Sequence, residues 1–129
     1  MGYQQITLTT NAAGAATGRT DQYVEGEILQ IAVDYTGAAV GTNLVIDQTL
    51  PPIPILTILA NNVDNIWSPR AAVVDPANVA LFYDAGGAPA EQVVDRIYVC
   101  GPITATVAAA GGVGAQIVVT IIYKDFPSD

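Results

Sequence analysis

Apolar and polar residues alternate along most of this 129-residue chain, and this period of two is the feature that most restricts its fold. Successive side chains of a β-strand point to opposite faces, whereas an amphipathic helix places an apolar residue every three to four positions. The alternation runs through seven segments, namely 6–8, 27–35, 44–46, 79–83, 93–99, 103–107 and 117–123. Within segment 27–35 it predicts a single buried face, formed by Leu29, Ile31, Val33 and Tyr35. β-Branched and aromatic residues dominate these segments, which indicates strands.

The stretches between these segments are rich in glycine, alanine and asparagine, as turns are. Segment 111–114, Gly-Gly-Val-Gly, separates two alternating runs, so we expect a hairpin connection there. The pattern predicts an all-β fold, an antiparallel two-sheet sandwich of the jelly-roll type with about eight strands. An immunoglobulin-like sandwich is the alternative. We expect one sandwich domain over residues 1–124 and a short polar C-terminal tail over residues 125–129.

An apolar run from Leu50 to Ala60 departs from the alternation. Three prolines at positions 51, 52 and 54 remove backbone donors, which predicts an edge strand or a connection instead of a central strand. Nearly every position from Ile53 onward is apolar, as in a strand that is covered on both faces. We therefore expect Ile53 and Ile55 to lie in the core or at a contact between subunits.

Charge and composition exclude several classes of function. Four Lys and Arg against twelve Asp and Glu give a formal net charge of −8, which opposes binding to nucleic acid. With no histidine and a single cysteine, the chain lacks the usual zinc ligands and the usual general base. We expect no enzymatic activity, no cofactor, no metal site, and, since no apolar segment is long enough, no membrane partner. Asp21, Glu25 and Glu27 could ligate Ca²⁺, although a repulsive strand edge is the simpler interpretation.

The cysteine and the tyrosines divide between core and surface. Cys100 has no partner for an intramolecular disulfide, and its place in an apolar run predicts a small buried side chain. Three tyrosines are in phase with core residues, and the other three are open to a surface role. The first set is Tyr35, Tyr83 and Tyr123, and the second is Tyr3, Tyr23 and Tyr98.

A polar, turn-forming run at 61–65 leads into the only tryptophan, Trp67, and then to Pro69 and Arg70. Tryptophan and arginine are the residue types that most often dominate binding energy at interfaces. One interpretation is that Trp67 closes the end of the sandwich while Arg70 pairs with a carboxylate. The other is that Trp67 anchors an interface.

The order of these features resembles that of small tailed-bacteriophage virion proteins, in particular capsid decoration (cement) proteins. The resemblance lies in the Thr-rich first strand, the segment 26–35, the Thr-Asn-Leu-Val-Ile strand at 42–46 and the apolar strand. It continues with the step Trp67-Ser68-Pro69-Arg70 and a closing pair of strands split by a Gly-rich turn.

The resemblance implies a protein that is made in the host cytoplasm and binds the outside of an assembled phage head. It implies a homotrimer that contacts the major capsid protein and stabilises the capsid, with no catalytic residues. A head or tail appendage that binds a host glycan or receptor is the alternative. The residues expected at the interface are Trp67, Pro69, Arg70, Ile53 and Ile55.

Overall fold

A computed structural model describes residues 2–49, 52–72, 82–83, 91–92 and 94–125. Within these ranges it contains thirteen strands and no helix. The strands are β1 (Gly2–Thr9), β2 (Ala16–Arg19), β3 (Val24–Thr36), β4 (Asn43–Gln48), β5 (Ile53–Ile58), β6 (Asn65–Trp67), β7 (Arg70–Ala72), β8 (Phe82–Tyr83), β9 (Glu91–Gln92), β10 (Val94–Arg96), β11 (Tyr98–Gly101), β12 (Ile103–Ala108) and β13 (Gln116–Asp125).

Most strands belong to two antiparallel sheets. The five-stranded sheet has the order β1-β13-β3-β11, and β6 also pairs with β3. The four-stranded sheet has the order β2-β12-β4-β5, while β7 with β10 and β8 with β9 form two short ribbons. The predicted all-β class with two antiparallel sheets is confirmed.

The inward faces of both sheets form one core, because alternate residues of each strand turn towards the opposite sheet. Ile117, Val119 and Ile121 of β13 are fully buried, and Ile103, Ala105 and Val107 of β12 are buried opposite them in the other sheet. Burying one such isoleucine contributes about 1.5–3 kcal/mol, so these alternating positions supply much of the driving force for folding.

A β-bulge interrupts the alternation in β3. Ile122 of β13 pairs with Gln30 and Tyr123 pairs with Ile28, which leaves Leu29 without a partner on that strand. The extra residue shifts by one position the alternation of side chains between the core face and the outer face of the strand. Ile28 and Ile31 are therefore fully buried whereas Leu29 is half-buried. The prediction that Leu29 shares the buried face of Ile31 is wrong, while Ile31, Val33 and Tyr35 are buried as expected.

The Gly-rich segment 111–114 does not form a hairpin, and that prediction is wrong. β12 lies in the four-stranded sheet and β13 in the five-stranded sheet, so the segment carries the chain across the core. Gly111, Gly112 and Gly114 all have positive φ angles, which glycine adopts at little cost. The alternation of flanking residues identifies two strands but contains no information on which strands pair with them.

Cys100 is exposed, in contrast to the predicted burial. The alternation of β11 turns Val99 and Gly101 inward, so Cys100 faces outward. Its backbone N–H donates to Oε1 of the buried Gln48 at 2.7 Å. An apolar run therefore predicted the strand correctly and assigned this one residue to the wrong face.

Two other predictions are confirmed within the described residues. β5, which contains Pro54, lies at the end of the four-stranded order, as an edge strand should. Tyr35 and Tyr123 are buried, whereas Tyr3, Tyr23 and Tyr98 are exposed. Val79, Leu81, Val93 and the tail beyond Asp125 lie outside the described residues, as does the side chain of Tyr83.

Candidate interaction surfaces

The Trp67-Ser68-Pro69-Arg70 step leaves the five-stranded sheet at β6. Trp67 pairs with Ile31 of β3, and its half-buried side chain packs against the core. Pro69 is buried, and Arg70 is exposed with its guanidinium donating to the carbonyl of Pro69 at 2.9 Å. Of these three residues, Arg70 presents the most accessible side chain.

Ile53 and Ile55 lie on β5, in the other sheet. Ile55 is buried in the core, and Ile53 is half-buried against it together with Leu56. Loop 59–64 joins β5 directly to β6, so the two strands lie on the same side of the molecule. We call this the β5–β6 side. The structure thus places Ile53, Ile55 and Trp67 on two consecutive strands of different sheets, and Arg70 at the start of β7.

The β5–β6 side is apolar but incompletely covered. Ile53, Leu56 and Trp67 are each only half-buried, and Ile66 is 61% exposed. The indole Nε1 of Trp67 is buried and has no hydrogen-bond partner within the part of the chain that the structure describes. Pro54 cannot donate a backbone hydrogen bond, which reduces the tendency of the β5 edge to accept an added strand. This side is therefore suited to apolar contact more than to strand addition.

Four loops meet at one end of the sandwich: loops 10–15, 37–42, 59–64 and 109–115, which we call the loop end. Backbone hydrogen bonds connect them in a row, from Thr10 to Ala115 at 2.9 Å, from Ala39 to Ala110 at 3.1 Å and from Asn61 to Thr42 at 3.0 Å. The side chain of Asn62 also donates to the carbonyl of Ala38 at 2.9 Å. The loop end is a connected surface and not a set of independent turns.

Exposed apolar side chains gather at the loop end: Val40, Leu59, Val63 and Val113, each between 66% and 77% exposed. Sequence reasoning missed this surface, because the loops were interpreted only as turns. A signal was present, since three of these loops carry a valine or leucine among glycine, alanine and asparagine. Only the tertiary structure brings the loops together.

Asp64 lies where the loop end meets β6, and its role is structural. Its Oδ1 accepts a hydrogen bond from the backbone N–H of Tyr35 at 2.7 Å. Burial raises the pKa of the Tyr35 phenol, and the negative charge of Asp64 acts in the same direction. Among the described residues the buried phenol has no hydrogen-bond partner, and its raised pKa keeps it protonated at physiological pH.

A pocket of about 620 Å³ lies beside β2, β11 and the start of β12. Its polar lining consists of three hydroxyls, a phenol, a guanidinium and a thiol, from Thr17, Thr49, Thr104, Tyr23, Arg19 and Cys100. The hydroxyls of Thr49 and Thr104 hydrogen-bond to each other. The described residues of the lining include no carboxylate, so they offer neither a pair of acids for hydrolysis nor ligands for a hard cation.

The described carboxylates outside this pocket do not form a metal site. Glu27 forms an ion pair with Arg96 at 2.7 Å. Among the residues that the structure describes, no group of three or more Asp, Glu, Cys or His side chains is arranged to hold a metal ion. Asp21, Glu25 and Glu27 are therefore not gathered around a common point. In the same part of the chain, no helix has the length and apolarity needed to cross a membrane.

Comparison with known proteins assigns no family. No protein-family model and no curated protein matches this chain. The function must therefore be argued from the surfaces themselves: the β5–β6 side, the loop end and the pocket.

Proposed function

We propose that this chain is a structural virion protein, a decoration protein that binds the outer surface of an assembled phage head. Its partner is the major capsid protein, and its role is to stabilise the capsid, without catalysis or a cofactor. The observation that carries the proposal is the β5–β6 side, where Ile53, Leu56 and Trp67 are half-buried at the edge of the core, and Ile66 is exposed on the outward face of β6. A partner that covers this side would bury the rest of these side chains. The removal of their remaining apolar surface from water would stabilise the complex.

The strand order supports a jelly roll as the finer description of the fold. β1 and β2 pair with β13 and β12, and β3 and β4 pair with the same two strands on their other edges. β6 and β5 then extend the two sheets beside β3 and β4. A long antiparallel ribbon folded over so that its halves form two sheets is the jelly-roll arrangement, which viral capsid domains and lectins use. The arrangement therefore agrees with a virion protein, while the function itself is argued from the surfaces.

The charge fits a protein that acts on the outside of a DNA-filled shell. A net charge of −8 keeps the free chain soluble and opposes premature binding to DNA. Closed symmetric assembly buries apolar surface that a small domain cannot hide alone, and we propose a homotrimer for this reason.

The pocket favours a second candidate, an appendage that binds a host glycan or receptor. Tyr23 is 70% exposed at its rim, next to the hydroxyls of Thr17 and Thr104. An exposed aromatic ring beside hydroxyl groups is a surface on which a sugar can stack and form hydrogen bonds. Loss of glycan binding in Tyr23→Ala, with unchanged binding to heads, would favour this candidate over decoration.

Addition of the purified chain to expanded, DNA-free heads of its own phage tests the decoration proposal. We expect the chain to occupy symmetry-related positions and to raise the temperature at which the heads disrupt. Trp67→Ala should weaken binding by about 30-fold, which corresponds to the ~2 kcal/mol of an interface hot spot. Tyr3→Ala is the matched control, because Tyr3 is 67% exposed on β1, at the far edge of the same sheet.

Because Trp67 packs against the core, its replacement also affects stability. Ile66→Asp is therefore the second variant, since Ile66 is largely exposed and contributes little to the core. A wild-type chain that does not bind heads would refute the proposal. Unchanged affinity in both variants would remove the β5–β6 side from the contact, and a lower melting temperature in Trp67→Ala alone would assign Trp67 to the core.

A further inference from the structure

The loop end differs from the rest of the molecule in charge. Loops 10–15, 37–42 and 109–115 contain no charged side chain, and loop 59–64 contains one, Asp64, although the chain carries a net charge of −8. Oδ1 of Asp64 accepts a hydrogen bond from the backbone N–H of Tyr35. The apolar side chains of Val40, Leu59, Val63 and Val113 project from this surface of low charge.

Asp34 and Asp64 lie near the loop end, but most other charged residues of the two sheets lie towards the opposite end. β2 and β4 leave the loop end and finish near Arg19 and Asp47, β3 begins with Glu25 and Glu27, and β13 finishes with Lys124 and Asp125. The ten residues of β13 span about 30 Å at about 3.3 Å per residue. Charges at that distance are screened at the loop end, because the Debye length is about 8 Å at physiological ionic strength.

We propose that the loop end is the surface through which copies of this chain associate. The inference rests on the proposed function, which includes a homo-oligomer, and it names the surface through which that oligomer forms. A second copy is the one partner whose charge is known, and it is also −8. Contact through the opposite end would bring many charges together, whereas contact between loop ends brings together apolar surfaces with few charges.

The loop end is also preorganised for contact. The backbone hydrogen bonds among its four loops hold the exposed side chains in fixed relative positions. Association then requires little further ordering of the chain, which lowers the entropic cost of binding. In a closed threefold ring, the loop ends of three copies would meet near the axis.

Sedimentation equilibrium of the full chain across a range of concentrations tests the proposal. We expect the wild type to self-associate, and Leu59→Asp and Val113→Asp each to weaken association by about 100-fold or more, because every copy would bury an unpaired carboxylate. Tyr3→Asp is the control of equal exposure outside the loop end, and it should associate like the wild type. Because the loop end carries few charges, the dissociation constant should change by less than about threefold between low and high salt.

Thermal melting of each variant checks that the exposed substitutions leave the fold intact. A wild type that is monomeric at all concentrations overturns the inference, and so does unchanged association in folded Leu59→Asp and Val113→Asp. A monomeric wild type that binds heads, and loses that binding in Leu59→Asp, would assign the loop end to the shell and also overturn it. An oligomer that fails to bind heads would instead refute the decoration proposal and leave the loop-end contact standing.

Discussion

Replacement of Gly26 by alanine tests how closely β3 and β13 approach each other. Gly26 lies in the five-stranded sheet between Asp125 of β13 and Val99 of β11, with a φ of 155°. A Cβ atom at this position would lie 2.1 Å from the carbonyl oxygen of Lys124 and 2.9 Å from its carbonyl carbon. Since both atoms belong to the backbone, no change of rotamer can relieve the overlap.

The expected cost of Gly26→Ala follows from two contributions. The backbone conformation costs a residue with a Cβ about 1–3 kcal/mol, and the forced movement of a packed strand costs about 1–3 kcal/mol more. We expect a loss of about 4 kcal/mol from the free energy of unfolding, out of the roughly 5–15 kcal/mol typical of a domain. For a chain of this length, that loss lowers the melting temperature by about 15 °C.

Calorimetry and urea unfolding followed by circular dichroism measure this effect. Gly41→Ala is the matched control, because nothing lies within 4 Å of its would-be Cβ and its φ is not positive. The control should be neutral or stabilising by about 0.4–1 kcal/mol, through a less flexible unfolded chain. A melting temperature of Gly26→Ala within about 3 °C of wild type would refute the argument, since it would show that the strands separate at little cost.

Two further predictions concern Tyr35 and Cys100. Tyr35→Phe removes a buried hydroxyl that has no partner, so it should be at least as stable as wild type near pH 7 in urea unfolding. The raised pKa of Tyr35 means that above about pH 10 the unfolded chain loses the phenol proton before the folded chain does, which favours unfolding. Wild type should therefore lose more stability than Tyr35→Phe as the pH rises through that range, and parallel losses would contradict the assigned burial. Cys100 is exposed and should react with a thiol reagent in the native protein without denaturant, whereas protection until unfolding would return it to the core.

The amino-acid sequence by itself determined the secondary structure class and most of the core. Alternation at Ile117, Val119 and Ile121 identified a buried strand face, and the prolines at 51, 52 and 54 predicted an edge strand or a connection, of which β5 is the edge strand. These features are local: the side-chain period and the missing N–H of proline act within a few residues, so they can be recognised without knowledge of the fold.

The sequence-based predictions failed where one extra residue reversed which side chains of a strand point to the core. They also failed where the pairing of a strand depends on residues distant in the chain. The bulge at Leu29 shifts β3 by one residue, because its register depends on contacts with β13. Cys100 sits in an apolar run, yet the register of β11 beside β3 turns it outward. The segment 111–114 joins strands that pair with β1 and β3 in one sheet and with β2 and β4 in the other.

The interaction surfaces were decided by the tertiary structure. The sequence identified Trp67 and the apolar strand at 53–58 as interface candidates, and the fold placed them on consecutive strands of opposite sheets. Val40, Leu59, Val63 and Val113 are separated by up to 73 positions in the chain and lie at one end of the sandwich only because four connections between the sheets meet there. Alternation specifies which side chains leave water, but the pairing of distant strands decides which of the remaining side chains form a common surface.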